Sequence, residues 1–208
     1  MIKKLLLMLT MLTLFVMSGM VSAQTLTRNE RAEIRFLEGM IDHHQMALDM
    51  AEHCLEQTES EVVHAICQSV IDAQTPEIEQ MQAWLLEWYN IEYTPVSMLS
   101  LDDDAADAMS GMDHGSMGHG GSSEEGTFTD PPMTMGMMAG LDRVTGIEYA
   151  VAWLESMIDH HDDAIHMSER ILSRVVHPEL GELAQRIIAD QSTEIEQMEQ
   201  LITELETA

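Results

Sequence analysis

Apolar residues recur at helical spacing along two separate stretches of the chain. In the first stretch Ile34, Leu37, Ile41, His44, Leu48 and Leu55 form one stripe, and Cys67, Ile71, Gln74, Ile78, Met81, Leu85 and Trp88 a second. In the second stretch the stripes are Val151, Leu154, Ile158, His161, Ile165, Leu172 and Ala184, Ile188, Gln191, Ile195, Met198, Ile202, Leu205. Steps of three and four residues put each set on one helix face. The pattern predicts two αα-hairpins, turning at Gln57 to Ser60 and at Val176 to Glu179, with Pro178 suited to a first helical position. Each stripe carries one polar intruder, a histidine in the first helix of a pair and a glutamine in the second.

The two stretches are copies. At an offset of 117 residues Phe36-Leu-Glu-Gly-Met-Ile-Asp-His-His44 aligns with Trp153-Leu-Glu-Ser-Met-Ile-Asp-His-His161, and Gln74, Glu77, Ile78 and Met81 with Gln191, Glu194, Ile195 and Met198. A lone hairpin buries too little apolar surface, so the pair is expected to form an all-α four-helix bundle. Intramolecular packing and a swapped dimer both satisfy this expectation. The expected organisation is a leader over residues 1–23, a first hairpin over 24–94, a linker over 95–142 and a second hairpin over 143–208. The linker lacks an apolar period and holds Asp102-Asp103-Asp104, a Gly/Ser/His/Met tract and Pro131-Pro132, a composition expected to be disordered without a ligand.

Residues 1–23 have a basic start (Lys3, Lys4), an apolar run from Leu5 to Val16 and small residues before Gln24, as in a cleaved signal peptide. The run is too short to span a bilayer. The expected product is exported and soluble, in a bacterial periplasm, without membrane insertion after cleavage. The formal charge is −28, from 37 acids against nine Lys plus Arg, and the leader takes both lysines. Such a surface argues against nucleic acid as a partner and attracts cations generally. Cys54 and Cys67 are the only cysteines. In an exported protein an even count favours a disulfide, with a thiolate metal site as the alternative.

Pairing Cys54 with Cys67 across antiparallel arms sets a register in which facing residue numbers sum to 121. Met40 is then level with Met81, His44 with Glu77 and Ala47 with Gln74. The repeat sets Met157 level with Met198, His161 with Glu194 and Ala164 with Gln191. Met40, His43, His44 and Met50 share one side of their helix, and Met157, His160, His161 and Met167 the same side of its copy; Met46 falls outside. His53, His64, His166 and His177 also fall off this face and are expected at the surface.

Chemistry follows from 20 Met and 10 His beside only three each of Phe, Trp and Tyr. Thioether sulfur is soft and never protonated, and it prefers Cu(I) or Ag(I); neutral imidazole serves Cu(I), Cu(II) and Zn(II). Mixed Met and His donors therefore favour copper, with Cu(I) ahead of Cu(II). The linker adds Met109, Met112, His114, Met117 and His119, then Met133, Met135, Met137 and Met138, with Met98 at its edge. These thioethers have no core to fill, and glycines between them permit a tight path around a cation. The competing explanation for the hairpin residues is packing: Met fills cores, and buried His and Gln can form a structural network. A di-iron oxidase would need Glu-x-x-His pairs that the repeated faces lack, and covalent haem a Cys-x-x-Cys-His motif that is absent.

The repeated Met40-Ile-Asp-His-His-Gln-Met-Ala47 and Met157-Ile-Asp-His-His-Asp-Asp-Ala164, each followed by Gln-x-x-Glu-Ile-x-x-Met, resemble the exported domain-of-unknown-function family 305. The resemblance implies a ferritin-like bundle and periplasmic copper binding. By position it implies ligands among Met40, His43, His44, Met50, Met81, Met157, His160, His161, Met167 and Met198, and it does not extend to the linker. The expected activity is non-enzymatic: sequestration or transfer of copper in resistance, with a periplasmic copper-transport or efflux protein as a partner.

Overall fold

The computed structural model describes residues 25–97 and 140–207. Four long helices carry the fold: α1 (Arg28–Gln57), α2 (Glu61–Tyr89), α3 (Gly146–Leu172) and α4 (Pro178–Thr207). Helix α1 starts at a capping box, in which the Glu30 N–H donates to Thr27 Oγ1 (3.1 Å) and the Thr27 N–H to Glu30 Oε2 (2.6 Å). Ser60 caps α2 through the Val63 N–H. At the far end of α2, Asn90 turns left-handed (φ 55°) and stops the helix. Pro178 opens α4, where its missing N–H costs nothing.

Both hairpins are antiparallel, and α1 and α3 are antiparallel to each other. His53 meets Tyr149 at one end of that pair, while Glu33 meets Val176 and His177 at the other. It follows that α2 and α3 run in the same direction, so the chain between them must return along the bundle, as in ferritin-like folds with one long crossover. Its first residues do so along α1. Gln82 holds the Tyr93 carbonyl (3.0 Å), the Tyr93 hydroxyl donates to Asp42 (2.5 Å), and Ser97 donates to Asp49 one to two turns further on (2.8 Å). The end of the connection is tied to the same helix, where His53 Nε2 bonds Asp142 (2.9 Å) and Leu141 is buried. The two hairpins thus pack on each other within one chain.

The interior is two apolar clusters separated by a polar layer. One cluster joins Met50, Cys54, Cys67, Trp153, Met157 and Met198. The other joins Leu37, Met40, Met81, Leu85, Leu180 and Leu183. Cys54 and Cys67 form the disulfide that ties α1 to α2, with Cα atoms 6.2 Å apart. Trp153 is fully buried and its indole N–H donates to the Met50 carbonyl (2.9 Å), so its polar atom is satisfied inside the core.

Two histidines expected at the surface are built into the structure instead. His53 Nδ1 meets the Tyr149 hydroxyl (3.0 Å), while His177 joins a clamp around Glu33. Glu33 has no exposed surface, and its carboxylate accepts from the Tyr89 hydroxyl (2.5 Å), the Val176 N–H (2.5 Å), the His177 N–H (2.9 Å) and His177 Nδ1 (2.7 Å). Trp88 stacks on the His177 ring at 3.9 Å. The clamp joins α1, α2 and the α3–α4 turn. Burial alone would raise the Glu33 carboxyl; the bonds from Tyr89, His177 and Val176 outweigh it and hold the group below the usual carboxylate range. His64 and His166 are exposed, as expected.

Met46 lies off the repeated face, as read from the sequence, and is buried in the cluster of Met50 and Trp153. Asp42, Met46 and Asp49 form one stripe of α1, and the returning segment is anchored at both of its ends, by Tyr93 and Ser97.

Two outcomes follow for the fold. Glu33→Gln keeps the shape but removes the charge from four hydrogen bonds, and should lower stability by about 2–3 kcal/mol in urea unfolding. Reduction of the Cys54–Cys67 bridge should lower it by about 3 kcal/mol, the scale for a short closed loop, read as a drop in thermal midpoint with reductant.

Candidate metal centre

Adjacent histidines on a helix point about 100° apart, so a His-His pair can address two neighbouring helices from one turn. Helix α1 uses His43 toward α3 and His44 toward α2; helix α3 uses His160 toward α1 and His161 toward α4. His44 Nε2 meets Glu77 at 2.8 Å and His161 Nε2 meets Glu194 at 2.7 Å. The other two rings meet where the copies join, with His43 and His160 in tilted contact at a centroid distance of 3.7 Å and 37° between planes. Gln74 and Gln191 are buried in the second helices at this level.

All four histidines are fully buried. Hydrogen bonding fixes three tautomers: His160 Nε2 donates to the His43 carbonyl (2.9 Å), and His44 and His161 donate from Nε2 to their carboxylates. None of the Nδ1 atoms of these three rings has a protein partner. Both nitrogens of His43, both amide atoms of Gln74 and the Gln191 oxygen likewise have none. Each such buried atom costs about 1–3 kcal/mol unless something other than protein satisfies it. Burial first, and then the neighbouring imidazoles, hold His43 and His160 well below the usual histidine range, so both rings are neutral at pH 7.

The thioethers divide into near and distant ones. Met40 and Met81 are buried on one side of the layer, in the apolar cluster of Leu37 and Leu85; Met157 and Met198 are buried on the other. Met40 lies one turn from His43 and His44, and Met157 one turn from His160 and His161. Met50 is buried beside Trp153, about 10 Å along α1 from His43. Met167 is only partly buried, with its methyl near Gly39. The fold therefore gathers the four histidines with four methionines and leaves Met50 and Met167 two turns away. Among the described residues no group of three or more His, Cys, Asp or Glu is arranged to hold an ion. Any site here is thus one of imidazole with thioether rather than a cage of hard ligands. Met98, Met109, Met112, His114, Met117, His119, Met133, Met135, Met137 and Met138, like the leader, lie outside the described residues.

The sequence missed the Glu33 clamp, although a signal was present: Glu33 falls on the buried stripe of Leu37, Met40 and His44, where a carboxylate needs partners. Among the described residues no helix is long and apolar enough to cross a membrane.

Solved structures share this architecture. CopM in its Cu(II)-bound form aligns over 83% of this chain and 96% of its own, with 25% identity and a TM-score of 0.59. A DUF305 fragment from Deinococcus radiodurans aligns over 83% and 96%, also with 25% identity and a TM-score of 0.59. A DUF305 protein from Streptomyces coelicolor, at 21% identity and a TM-score of 0.60 over 84% and 92%, shares the fold. Comparison with curated proteins finds no match. The family model for DUF305, a domain of unknown function, matches residues 33–202, both hairpins included, and the chain belongs to that family.

Proposed function

We propose that this protein is a non-enzymatic, periplasmic copper binder that sequesters Cu(I), or passes it to a transport or efflux partner, in copper resistance. One observation carries the proposal: a layer of buried histidines whose Nδ1 atoms lack any protein partner, flanked on both sides by buried thioethers. Neutral imidazole and thioether are the donor types that low-coordinate soft cations take. The relationship to CopM, a protein solved with Cu(II) bound, supports copper as the cargo. Thioethers favour Cu(I) over Cu(II), and Ag(I) fits the same donors. The linker methionines and histidines are proposed as further donors, and the leader-like start as the route to the periplasm.

A second reading is a bundle whose histidines serve structure alone, favoured by the His44–Glu77, His161–Glu194 and His160–His43 bonds. Substitution separates the two. In an anaerobic Cu(I) titration against a coloured chelator, Met40→Leu with Met81→Leu conserves volume, so the fold should persist while Cu(I) affinity falls at least tenfold. His43→Leu with His160→Leu should do the same; unchanged binding in both variants would remove the histidine layer as the site, and no Cu(I) binding by the parent would sink the copper reading.

Protonation gives an independent check. Unfolded histidine binds a proton near pH 6.5, whereas the buried rings stay neutral, so the unfolded state takes up more protons. Metal-free stability should be full above that pH and should fall as pH drops below it, by about 1.4 kcal/mol per unit for each of His43 and His160. Chemical denaturation between pH 7.5 and 5 measures this slope, which His43→Leu with His160→Leu should flatten.

A further inference from the structure

The seven arginines of this chain are outnumbered by 37 acids, yet three of them surround one groove. The groove lies between the first half of α1 and the last half of α3 and has a volume of about 640 Å³, within the range of small-molecule sites. Arg35 stands on the α1 wall, Arg170 on the last turn of α3, and Arg174 in the turn just beyond it. Among the described residues none of the three guanidinium groups lies within 4.0 Å of a carboxylate. Among the described residues the ion pairs all use histidine as the cation, so what sets these three arginines apart is that they line one groove. Of the carboxylates nearby, Asp42 accepts the Tyr93 hydroxyl and Glu169 faces His166 (3.5 Å), while Asp163 lies close enough to Arg170 to feel its charge without forming an ion pair. Glu38 is half-buried, and burial, then the neighbouring Asp42, raises its pKa, which weakens its claim on a guanidinium.

The floor is apolar. Phe36 and Ile171 are nearly buried beneath the groove, and Met167 lies along it. Gly39 keeps this floor open, since it presents no side chain and a Cβ there would meet only the Met167 methyl, at 3.5 Å.

We infer that this groove binds a small organic carboxylate, with its anionic end held by Arg35, Arg170 and Arg174 and its apolar body on Phe36, Met167 and Ile171. Guanidinium forks match carboxylates bidentately and discriminate them from neutral isosteres. The groove is separate from the histidine layer and does not depend on the copper reading.

Ligand-observed NMR and calorimetry on the whole protein at pH 7 and low salt test the inference, with phenylacetate as the probe and phenylacetamide and inorganic phosphate as controls. Phenylacetate should bind at least tenfold more tightly than either control. Arg170→Gln with Arg174→Gln should weaken it at least tenfold, and so should Gly39→Leu, which fills the floor and leaves every arginine in place. Helical circular dichroism reports that each variant is folded. Equal binding of acid and amide, phosphate binding as tight as phenylacetate, or variants that are folded and bind as the parent does would each overturn the assignment, as would no binding at all.

Discussion

Four imidazoles on the axis of an apolar bundle are the constraint on which this architecture turns. A buried neutral ring must place each nitrogen against a partner or leave it unsatisfied, and the surrounding Leu, Ile and Met side chains offer none. The chain meets that demand for three of the eight ring nitrogens. Glu77 and Glu194, standing at the rim of the layer, each take one N–H, and the backbone of α1 takes a third. What is left over is a set of ring nitrogens without partners concentrated at the bundle centre, where burial suppresses protonation of His43 and His160. The same burial that makes the layer costly makes it a base that does not compete with protons.

The duplication explains why the costly groups come in facing pairs. Each copy alone would bury one His–Glu pair on its own seam and leave the second histidine pointing outward. Docking of two copies about a near-twofold axis turns those outward histidines on each other, and the His43 and His160 rings meet in tilted contact. Divergence is visible away from that axis. Trp153 replaces Phe36 of the first copy and reaches the Met50 carbonyl, while the Glu33 clamp has no counterpart, because Ala150 stands at the equivalent position.

Within each hairpin, the sequence was enough. Two cysteines fixed a register, the register set His44 level with Glu77, and the repeat carried the pairing to His161 and Glu194. Between hairpins it was not, because periodicity says which face is apolar but not how two such faces slide and rotate on each other. The His43–His160 contact and the clamp at Glu33 depend on that unspecified register, and so do the fates of His53 and His177. The grouping of Met50 and Met167 with the histidines came from treating a helix side as one place, although seven residues along it span about 10 Å.

The attachment of the connection to α1 has a consequence for how this molecule can change. The chain leaves that helix at Ser97, bonded to Asp49, and is tied to it again at Asp142, bonded to His53. Asp49 and His53 are one turn apart, so residues 98–139 begin and end at nearly the same place on the bundle. The helical frame therefore imposes almost no length on them, and closure entropy grows only slowly with added residues. Methionines and histidines can be gained or lost there by insertion and deletion without moving a helix, so donor capacity and fold are free to evolve separately.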